Sequence, residues 1–241
     1  MKKICFSLLL LLSLAFSTTQ NSFAESAKKT ELSEIKGVIS DYTIVTNNYN
    51  KNSDKRKIKL SFPQIKDLKD KSIQNKINKL IKNTVFDDIE SNLDPEYHID
   101  YYADYTIQWI SNKVLSLSFY GNSDIKEAPH PNNVFYTLNI DMTTGKQITL
   151  TNLINVNNNF ITLFINKAKF LANPLSLDSE QLANLKNNLF NIEHLQYYFT
   201  KTSDFYFTST GLVFSIGTDH SIGDYSLFLL NYSDMSNYLN Q

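Results

Sequence analysis

Hydrophobic residues along the chain follow two periods, which predict blocks of strand and helix. Five runs alternate between apolar and polar residues, as half-buried strands do, at residues 42–46, 58–62, 101–109, 114–120 and 134–142. Between the second and third runs, apolar residues recur at three- and four-residue spacing, namely Ile73, Ile77, Leu80, Ile81, Val85 and Ile89. This spacing predicts an amphipathic helix of about four turns, with Asp70 as its N-cap.

The last third of the chain mixes both periods. Residues 160–171 and 182–189 are predicted helices, the second one opened by Asp178. Residues 205–216 are a predicted hairpin, and 226–230 a further strand. Elements of one type are grouped along the chain, which predicts an α+β fold with antiparallel sheets and helices packed on one face. We expect two intimately packed halves that meet near residue 152.

The first 24 residues have the pattern of a secretory signal peptide. Lys2 and Lys3 precede a short apolar run at residues 8–16, and small residues lead to a cleavage site after Ala24. We therefore expect a secreted protein, extracellular or associated with the cell wall. The predicted organisation is a signal peptide (1–24), a flexible leader (25–36), an N-terminal α+β half (37–151) and a C-terminal α+β half (152–241).

Composition and charge narrow the function classes. Cleavage would remove Cys5, the single cysteine, so the mature chain is expected to have no disulfide, thiol nucleophile or Cys-based metal site. Without Lys2 and Lys3, 21 basic residues face 24 acidic ones, a net charge of −3. The basic run at residues 51–59 is interrupted by Asp54 and fits a solvated loop. A nucleic-acid partner is therefore not expected.

Common enzyme signatures are missing from the sequence. It contains no HExxH, GxSxG, P-loop or dinucleotide-binding glycine motif. This favours a non-catalytic protein without excluding catalysis, because a pair of acid–base carboxylates leaves no spacing pattern. We expect no catalytic residue set and no cofactor. Glu96 and His98 could face one side of a strand, but two ligands are too few to predict a metal site.

His130 is the histidine with the most specific setting. Pro129 and Pro131 restrict the backbone on both sides of it. A rigid loop that presents one imidazole is a candidate contact site, although a shaped turn without a binding role explains the pattern as well. His194 is expected in a connector between helix and strand, and His220 in an ordinary exposed loop.

Aromatic residues are a second candidate feature. Tyr101, Tyr105 and Trp109 share one face of a predicted strand, and such residues are more often sheet core than a surface for stacking sugar rings. Nearer to the His130 loop, Tyr120 and Tyr136 lie on neighbouring strands. We therefore predict a binding rim made of His130, Tyr120 and Tyr136.

Several segments in combination resemble a known family. They are 60–65 (LSFPQI), 77–81 (INKLI), 128–131 (APHP), 139–154 (NIDMTTGKQITLTNLI), 205–214 (FYFTSTGLVF) and 230–235 (LNYSDM). Together they are similar to the paired extracellular modules of RsiV-type anti-sigma factors and PdaC-type peptidoglycan deacetylases. The similarity spans most of the mature chain. It departs at Lys126 and Glu127, which stand where the family has glycines, at the extra Pro129, and at the shorter loop of residues 219–225.

The resemblance implies a stand-alone secreted module of a Gram-positive bacterium that acts at the cell wall. Its implied role is non-catalytic binding of a cell-wall glycan or of an extracellular protein that attacks the wall, such as lysozyme. The alternative is a small carbohydrate- or peptidoglycan-modifying enzyme, hydrolase- or deacetylase-like, that uses carboxylates and His130. An enzyme needs acid–base groups that converge in a cleft, whereas a binding module needs an exposed patch.

Overall fold

The computed structural model describes residues 41–92, 97–201 and 204–240. The predicted signal peptide and leader lie outside the described residues. Within the described part, the strands are β1 (Thr43–Ser53), β2 (Arg56–Lys66), β3 (Ile99–Ile110), β4 (Val114–Ile125), β5 (Asn132–Asp141), β6 (Lys146–Gln147), β7 (Lys169–Ala172), β8 (Asp204–Phe207), β9 (Gly211–Gly217) and β10 (Tyr225–Asn231). The α-helices of the same part are α1 (Lys71–Asn92), α2 (Leu150–Leu153), α3 (Asn158–Lys167), α4 (Ser179–Leu189), α5 (Ile192–Lys201) and α6 (Tyr232–Met235).

The first sheet has six strands in the order β1-β2-β3-β4-β5-β6. Neighbouring strands are antiparallel except β2 and β3, which are parallel, with Arg56 opposite Ile99. The connections explain this difference. Helix α1 carries the chain from the end of β2 back to the start of β3, whereas short turns, which allow antiparallel pairing only, join the other strands.

Helix α1 packs its apolar stripe against one face of the first sheet. Its N-cap is confirmed, because Asp70 Oδ1 accepts hydrogen bonds from the backbone N–H groups of Ser72 (2.8 Å) and Ile73 (3.1 Å). The Asn78 side chain accepts from the backbone N–H of Ile65 at 2.7 Å and donates to its carbonyl at 2.9 Å. These two bonds fix the helix against the end of β2.

The turn between β5 and β6 requires glycine. Gly145 has a φ of +70°, the left-handed conformation predicted for this hairpin position. A Cβ atom at Gly145 would lie 3.0 Å from Cβ of Lys76 and 3.3 Å from the carbonyl oxygen of Ile73. The absence of a side chain therefore permits both the turn and its close approach to α1.

The second sheet has four strands in the order β7-β10-β9-β8, and all neighbours are antiparallel. Helices α3, α4 and α5 supply the core that covers one of its faces. The largest buried side chains of this core are aromatic: Phe160, Phe164, Phe199, Phe205, Phe214 and Phe228. Burial of these rings provides the main apolar stabilisation of this part of the protein.

Strand β5 joins the two sheets. Strand β6 pairs only with the last two residues of β5, which leaves most of that edge without a neighbouring strand. Two carboxylates from the C-terminal part of the chain take edge N–H groups instead. Asp204 accepts from the backbone N–H of Thr137 at 2.7 Å, and Asp224 accepts from that of Asn133 at 2.7 Å. These bonds satisfy donors that would otherwise form an open sheet edge.

Three local predictions are corrected by the structure. The helix predicted over 160–171 ends at Lys167, because the following residues form β7 and pair with the open edge of β10. His194 lies in α5 rather than in a connector; this helix buries Leu195 and Phe199, which are four residues apart. The basic run at 51–59 forms the paired ends of β1 and β2 and the two-residue turn between them, rather than a longer loop.

The α+β fold class predicted from the sequence is confirmed: both sheets are mainly antiparallel, and each carries helices. The described chain from Asp41 onward forms one compact unit. Whether 37–151 and 152–241 are separable halves stays a prediction. In the part of the chain that the structure describes, no helix combines the length and the apolar character needed to cross a bilayer.

Candidate functional site

Two loops meet at one end of β5. The first, residues 126–131, follows β4 and carries His130, and the second, residues 218–224, connects β9 and β10. Asp224 ties them together, because its Oδ2 accepts from the backbone N–H of Asn133 at 2.7 Å and from Asn133 Nδ2 at 3.2 Å. We call residues 126–133 and 218–225 the two-loop rim.

Two histidines approach each other in the two-loop rim. Both are exposed, and the ring centroids of His130 and His220 are 6.4 Å apart. Nδ1 of His220 lies 2.9 Å from Oδ1 of Asp224, which orients that imidazole. The sequence predicts an ordinary exposed loop around His220. In the structure this loop lies against the loop that carries His130.

Aromatic side chains lie next to the two-loop rim, on the adjoining part of the first sheet. Tyr120 lies directly opposite Phe135 in the β4–β5 pair, so the two side chains are neighbours on one face. Phe135 stacks on Tyr225, the first residue of β10 after the second loop, with ring centroids 4.7 Å apart. Tyr120 and His130, both predicted site residues, therefore border the same end of the molecule.

Tyr136 does not share this surface. It follows Phe135 in the strand, and successive strand residues point to opposite faces. Its side chain is 8% exposed and stacks on Phe119, with ring centroids 4.8 Å apart. The predicted grouping of Tyr136 with Tyr120 as one exposed rim therefore does not occur; alternation within β5 places Phe135 beside Tyr120 instead. A binding role for His130 and Tyr120 stays a prediction.

The rim backbone is held in uncommon conformations. Glu127 and Asp224 have φ values of 75° and 70°, and Gly223 has 95°. For residues other than glycine this region costs of order 1–3 kcal/mol each and persists where surrounding contacts hold it, often at functional sites. Both loops of the rim thus contain a residue whose conformation is imposed by its surroundings.

Asn173 supports the second loop from beneath. It is 9% exposed, and its Nδ2 donates to the carbonyl oxygens of Ile222 (2.7 Å) and Tyr225 (2.8 Å) and to Ser226 Oγ (2.8 Å). The sequence gives no sign of this role, because an asparagine just after β7 is typical of any turn. The loop that carries His220 is therefore preorganised by a buried amide.

A separate polar cleft of about 330 Å³ opens where β5 and β6 face α5 and β8. Asp204 is its acidic residue, and Oδ1 of Asp204 accepts from the backbone N–H (2.7 Å) and Oγ1 (3.0 Å) of Thr137. Burial, with a smaller contribution from the charge of Asp88, raises the pKa of this carboxyl to about 6 against the opposing effect of the Thr137 bonds. Sequence analysis missed Asp204, which looks like an ordinary strand-initial charge.

Asp88 belongs to a buried polar group on the α1 side of the first sheet. The Tyr101 hydroxyl donates to its carboxylate. Burial raises the pKa of Asp88, and it also raises the pKa of Tyr101 and of Tyr136. Carboxyl groups on both sides of the sheet therefore favour their protonated forms more than exposed ones do.

The raised pKa of Asp204 predicts an acid-dependent contribution to stability. A carboxyl whose pKa is 3.8 when unfolded and about 6 when folded stabilises the fold most below pH 3.8, and this contribution is lost as the pH rises through 6. The expected loss between pH 4 and pH 7 is about 2–3 kcal/mol. Asp204→Asn should remove this part of the pH dependence, measured as urea unfolding free energies at each pH.

The exposed carboxylate of Asp124 provides the control for this measurement. Asp124→Asn should keep the wild-type difference between the two pH values, because that side chain projects into solvent. If wild type and Asp204→Asn have parallel stability curves between pH 4 and pH 7, the Asp204 carboxyl is not protonated preferentially in the fold.

The cleft carboxyl and His130 do not form one catalytic arrangement. Asp204 is bound to Thr137, in the middle of β5. His130 lies before the start of β5, and the loop that carries it is anchored at Asn133, which is bound to Asp224. Asn133 and Thr137 are four residues apart in the strand, a distance of about 13 Å. His130 does not line the cleft. The Asp204 cleft therefore does not bring a carboxylate to His130. The enzyme alternative stays a prediction, in which Asp224, beside His220 and His130, would be the nearby carboxylate.

Comparison with known proteins identifies the fold class. No family sequence model matches the chain, and no curated protein sequence matches it. Among solved structures, a DUF3298 family member from Bacteroides fragilis matches with a TM-score of 0.56 at 13% identity, covering 83% of this chain and 94% of the other. A DUF3298 family protein from Pseudomonas aeruginosa matches with a TM-score of 0.45 at 8% identity, covering 84% and 94%.

The protein therefore has the α+β fold of a DUF3298-type domain. At 13% identity the likeness concerns the fold and not individual site residues. The more specific similarity to RsiV-type and PdaC-type modules continues to depend on the sequence segments that carry it.

Proposed function

We propose that this protein is an exported, non-catalytic binding module that acts at the cell wall. Its ligand would be a cell-wall glycan or a protein that attacks the wall, such as lysozyme. Export is supported by the signal-peptide pattern of residues 1–24. The choice of ligand is supported by the resemblance of the sequence to extracellular modules of envelope proteins.

The two-loop rim is the proposed binding surface. The observation that carries this assignment is the meeting of two sequence-distant loops, with His130 and His220 side by side and Asp224 holding both loops together. Imidazoles and stacked aromatic rings on a preorganised surface are typical of recognition sites, because little conformational entropy is lost when a ligand binds. The neighbouring Phe135–Tyr225 pair supplies the aromatic part.

His130→Ala tests the rim. We expect binding to peptidoglycan fragments or to lysozyme, each measured by isothermal titration calorimetry, to weaken about tenfold, as for a contact residue near the centre of an interface. Stability should change by no more than about 0.5 kcal/mol, because the side chain is exposed. Thermal unfolding of the same preparation measures that change.

His194→Ala is the matched control, an exposed histidine on α5 and outside the rim. It should leave binding unchanged. A large stability loss in His130→Ala, with unaltered affinity per folded molecule, would mean that the imidazole only shapes the loop and would remove the rim from the proposal.

A further inference from the structure

The cleft beside Asp204 is a built polar cavity, distinct from the two-loop rim. Its volume of about 330 Å³ lies at the lower end of ligand-binding cavities, which range from about 300 to 1,000 Å³. Such a volume accepts a small ligand of about the size of a monosaccharide. Its walls come from different parts of the chain: β5, β6, the start of α2, the end of α5 and the start of β8.

The inner wall of the cleft is rigid. Thr137 uses its hydroxyl twice, as a donor to Asp204 Oδ1 at 3.0 Å and as an acceptor from the backbone N–H of Phe205 at 3.0 Å. Asn139 donates through Nδ2 to the carbonyl oxygen of Phe205 at 2.7 Å and accepts from Ser116 Oγ. The carboxyl of Asp204 is therefore held in place before any ligand arrives, which lowers the entropic cost of binding.

Both hydrogen bonds from Thr137 go to the same oxygen of Asp204. A carboxylate has two oxygens, each with two lone pairs, so the two Thr137 bonds use only part of the acceptor capacity of this carboxyl. A hydrogen bond from a ligand hydroxyl to a charged carboxylate is about twice as strong as one between neutral groups. The cleft thus has one strong acceptor at a fixed position.

The outer wall presents neutral hydrogen-bonding groups and one cation. Gln147 and Thr151 are exposed on one side, and Thr200 and Lys201 on the other. Hydroxyl and amide groups both donate and accept, as the hydroxyls of a polyol do. The acidic charge of Asp204 and the basic charge of Lys201 balance, so a ligand with a net charge gains nothing from the cleft as a whole.

From this combination we propose that the Asp204 cleft binds a neutral, polyhydroxylated small molecule of the size of a monosaccharide. Asp204 accepts from a hydroxyl of the ligand, and Gln147, Thr151 and Lys201 bind its outer hydroxyls. The site is independent of the two-loop rim and of the macromolecule proposed to bind there.

The test is an NMR titration of the ¹⁵N-labelled protein with glucose and with N-acetylglucosamine at pH 7.5. Shift changes are expected at the backbone amides of Thr137, Gln147 and Thr151. Asp204→Asn should lower the affinity for whichever sugar binds about tenfold, because a charge-assisted hydrogen bond is replaced by a neutral one. Gln147→Ala, at an exposed position where folding is not at risk, should weaken it several-fold.

Asp224→Asn is the matched control for Asp204→Asn. Both carboxylates accept an edge N–H of β5, but Asp204 lines the cleft and Asp224 belongs to the two-loop rim. Asp224→Asn and His130→Ala should leave the sugar-induced shifts at the cleft amides of Thr137, Gln147 and Thr151 unchanged, because neither residue lines the cleft. If the cleft variants lose sugar binding and keep binding of the rim ligand, the cleft acts as a separate site. If the rim variants lose the rim ligand and keep sugar binding at the cleft, the two proposals are likewise tested separately.

Proton linkage gives an independent readout. The wild-type protein should bind the sugar more tightly at pH 7.5 than at pH 5, because the carboxyl is charged only at the higher pH. Asp204→Asn should show no such difference. The proposal is overturned if neither sugar shifts the cleft amides, if glycine as a zwitterionic probe shifts them and no sugar does, or if Asp204→Asn binds sugar as wild type does.

Discussion

Replacing Phe164 with alanine is expected to lower the free energy of unfolding by about 3–5 kcal/mol. The ring is 0% exposed and lies at the centre of the core that covers the second sheet. Its centroid is 5.0 Å from that of Phe199 and 5.2 Å from that of Phe214. Removing it leaves a cavity bounded by α5 and β9, two elements that cannot close it without losing their own contacts. Urea denaturation followed by circular dichroism measures the change.

Leu163→Ala is the matched control for Phe164→Ala. Leu163 is the preceding residue of α3 and only half-buried, so its truncation should cost clearly less. Equal effects of the two substitutions would mean that Phe164 does not hold the centre of this core.

Replacing Ile81 with alanine is expected to cost about 2–5 kcal/mol. Ile81 is 0% exposed and lies in the middle of the α1 stripe against the first sheet. Leu80 is a matched neighbour in the same helix and the same stripe of the sequence pattern, but it is only half-buried. Leu80→Ala should therefore cost less than Ile81→Ala, as measured by thermal and urea unfolding.

Ile81→Ala also tests whether the two predicted halves fold separately. Trp109, the single tryptophan, lies in β3 of the first sheet, so its fluorescence follows that sheet, whereas far-UV circular dichroism follows both. If 37–151 and 152–241 unfold as one unit, Ile81→Ala should shift both signals to the same lower midpoint. A shift of the fluorescence transition with an unchanged second transition in circular dichroism would show two separable halves.

Local sequence signals correctly predicted most elements of the fold. Asp70 predicted the start of α1, Asp178 that of α4, and Gly145 the turn after β5. Each of these signals works within a few residues, because a cap or a turn satisfies backbone groups of its own neighbourhood. The alternating apolar runs likewise predicted β1 to β5 of the first sheet, and the predicted hairpin and last strand correspond to β8, β9 and β10 of the second.

Other elements depend on contacts that no local pattern contains. Residues 169–172 became β7 because the edge of β10 was open to them, although their apolar spacing also continues the preceding helix. The parallel pairing of β2 with β3 is a consequence of the way α1 crosses the sheet. Helix and strand preferences are weak compared with such tertiary contacts.

The candidate site shows the same division. Two features can be predicted from the sequence alone: His130 lies between two prolines, and Tyr120 and Tyr136 occupy neighbouring strands. That Tyr136 faces the core cannot be predicted in this way, because the burial of a strand side chain depends on which face of its sheet is covered. The tertiary structure also brought His220 and Asp224 to the His130 loop and enclosed Asp204. Asp224 is about 90 positions from its partner Asn133 along the chain, and Asp204 is about 70 positions from its partner Thr137. Contacts at such separations are created when the sheets pack, so neither residue can be singled out by spacing, composition or local periodicity.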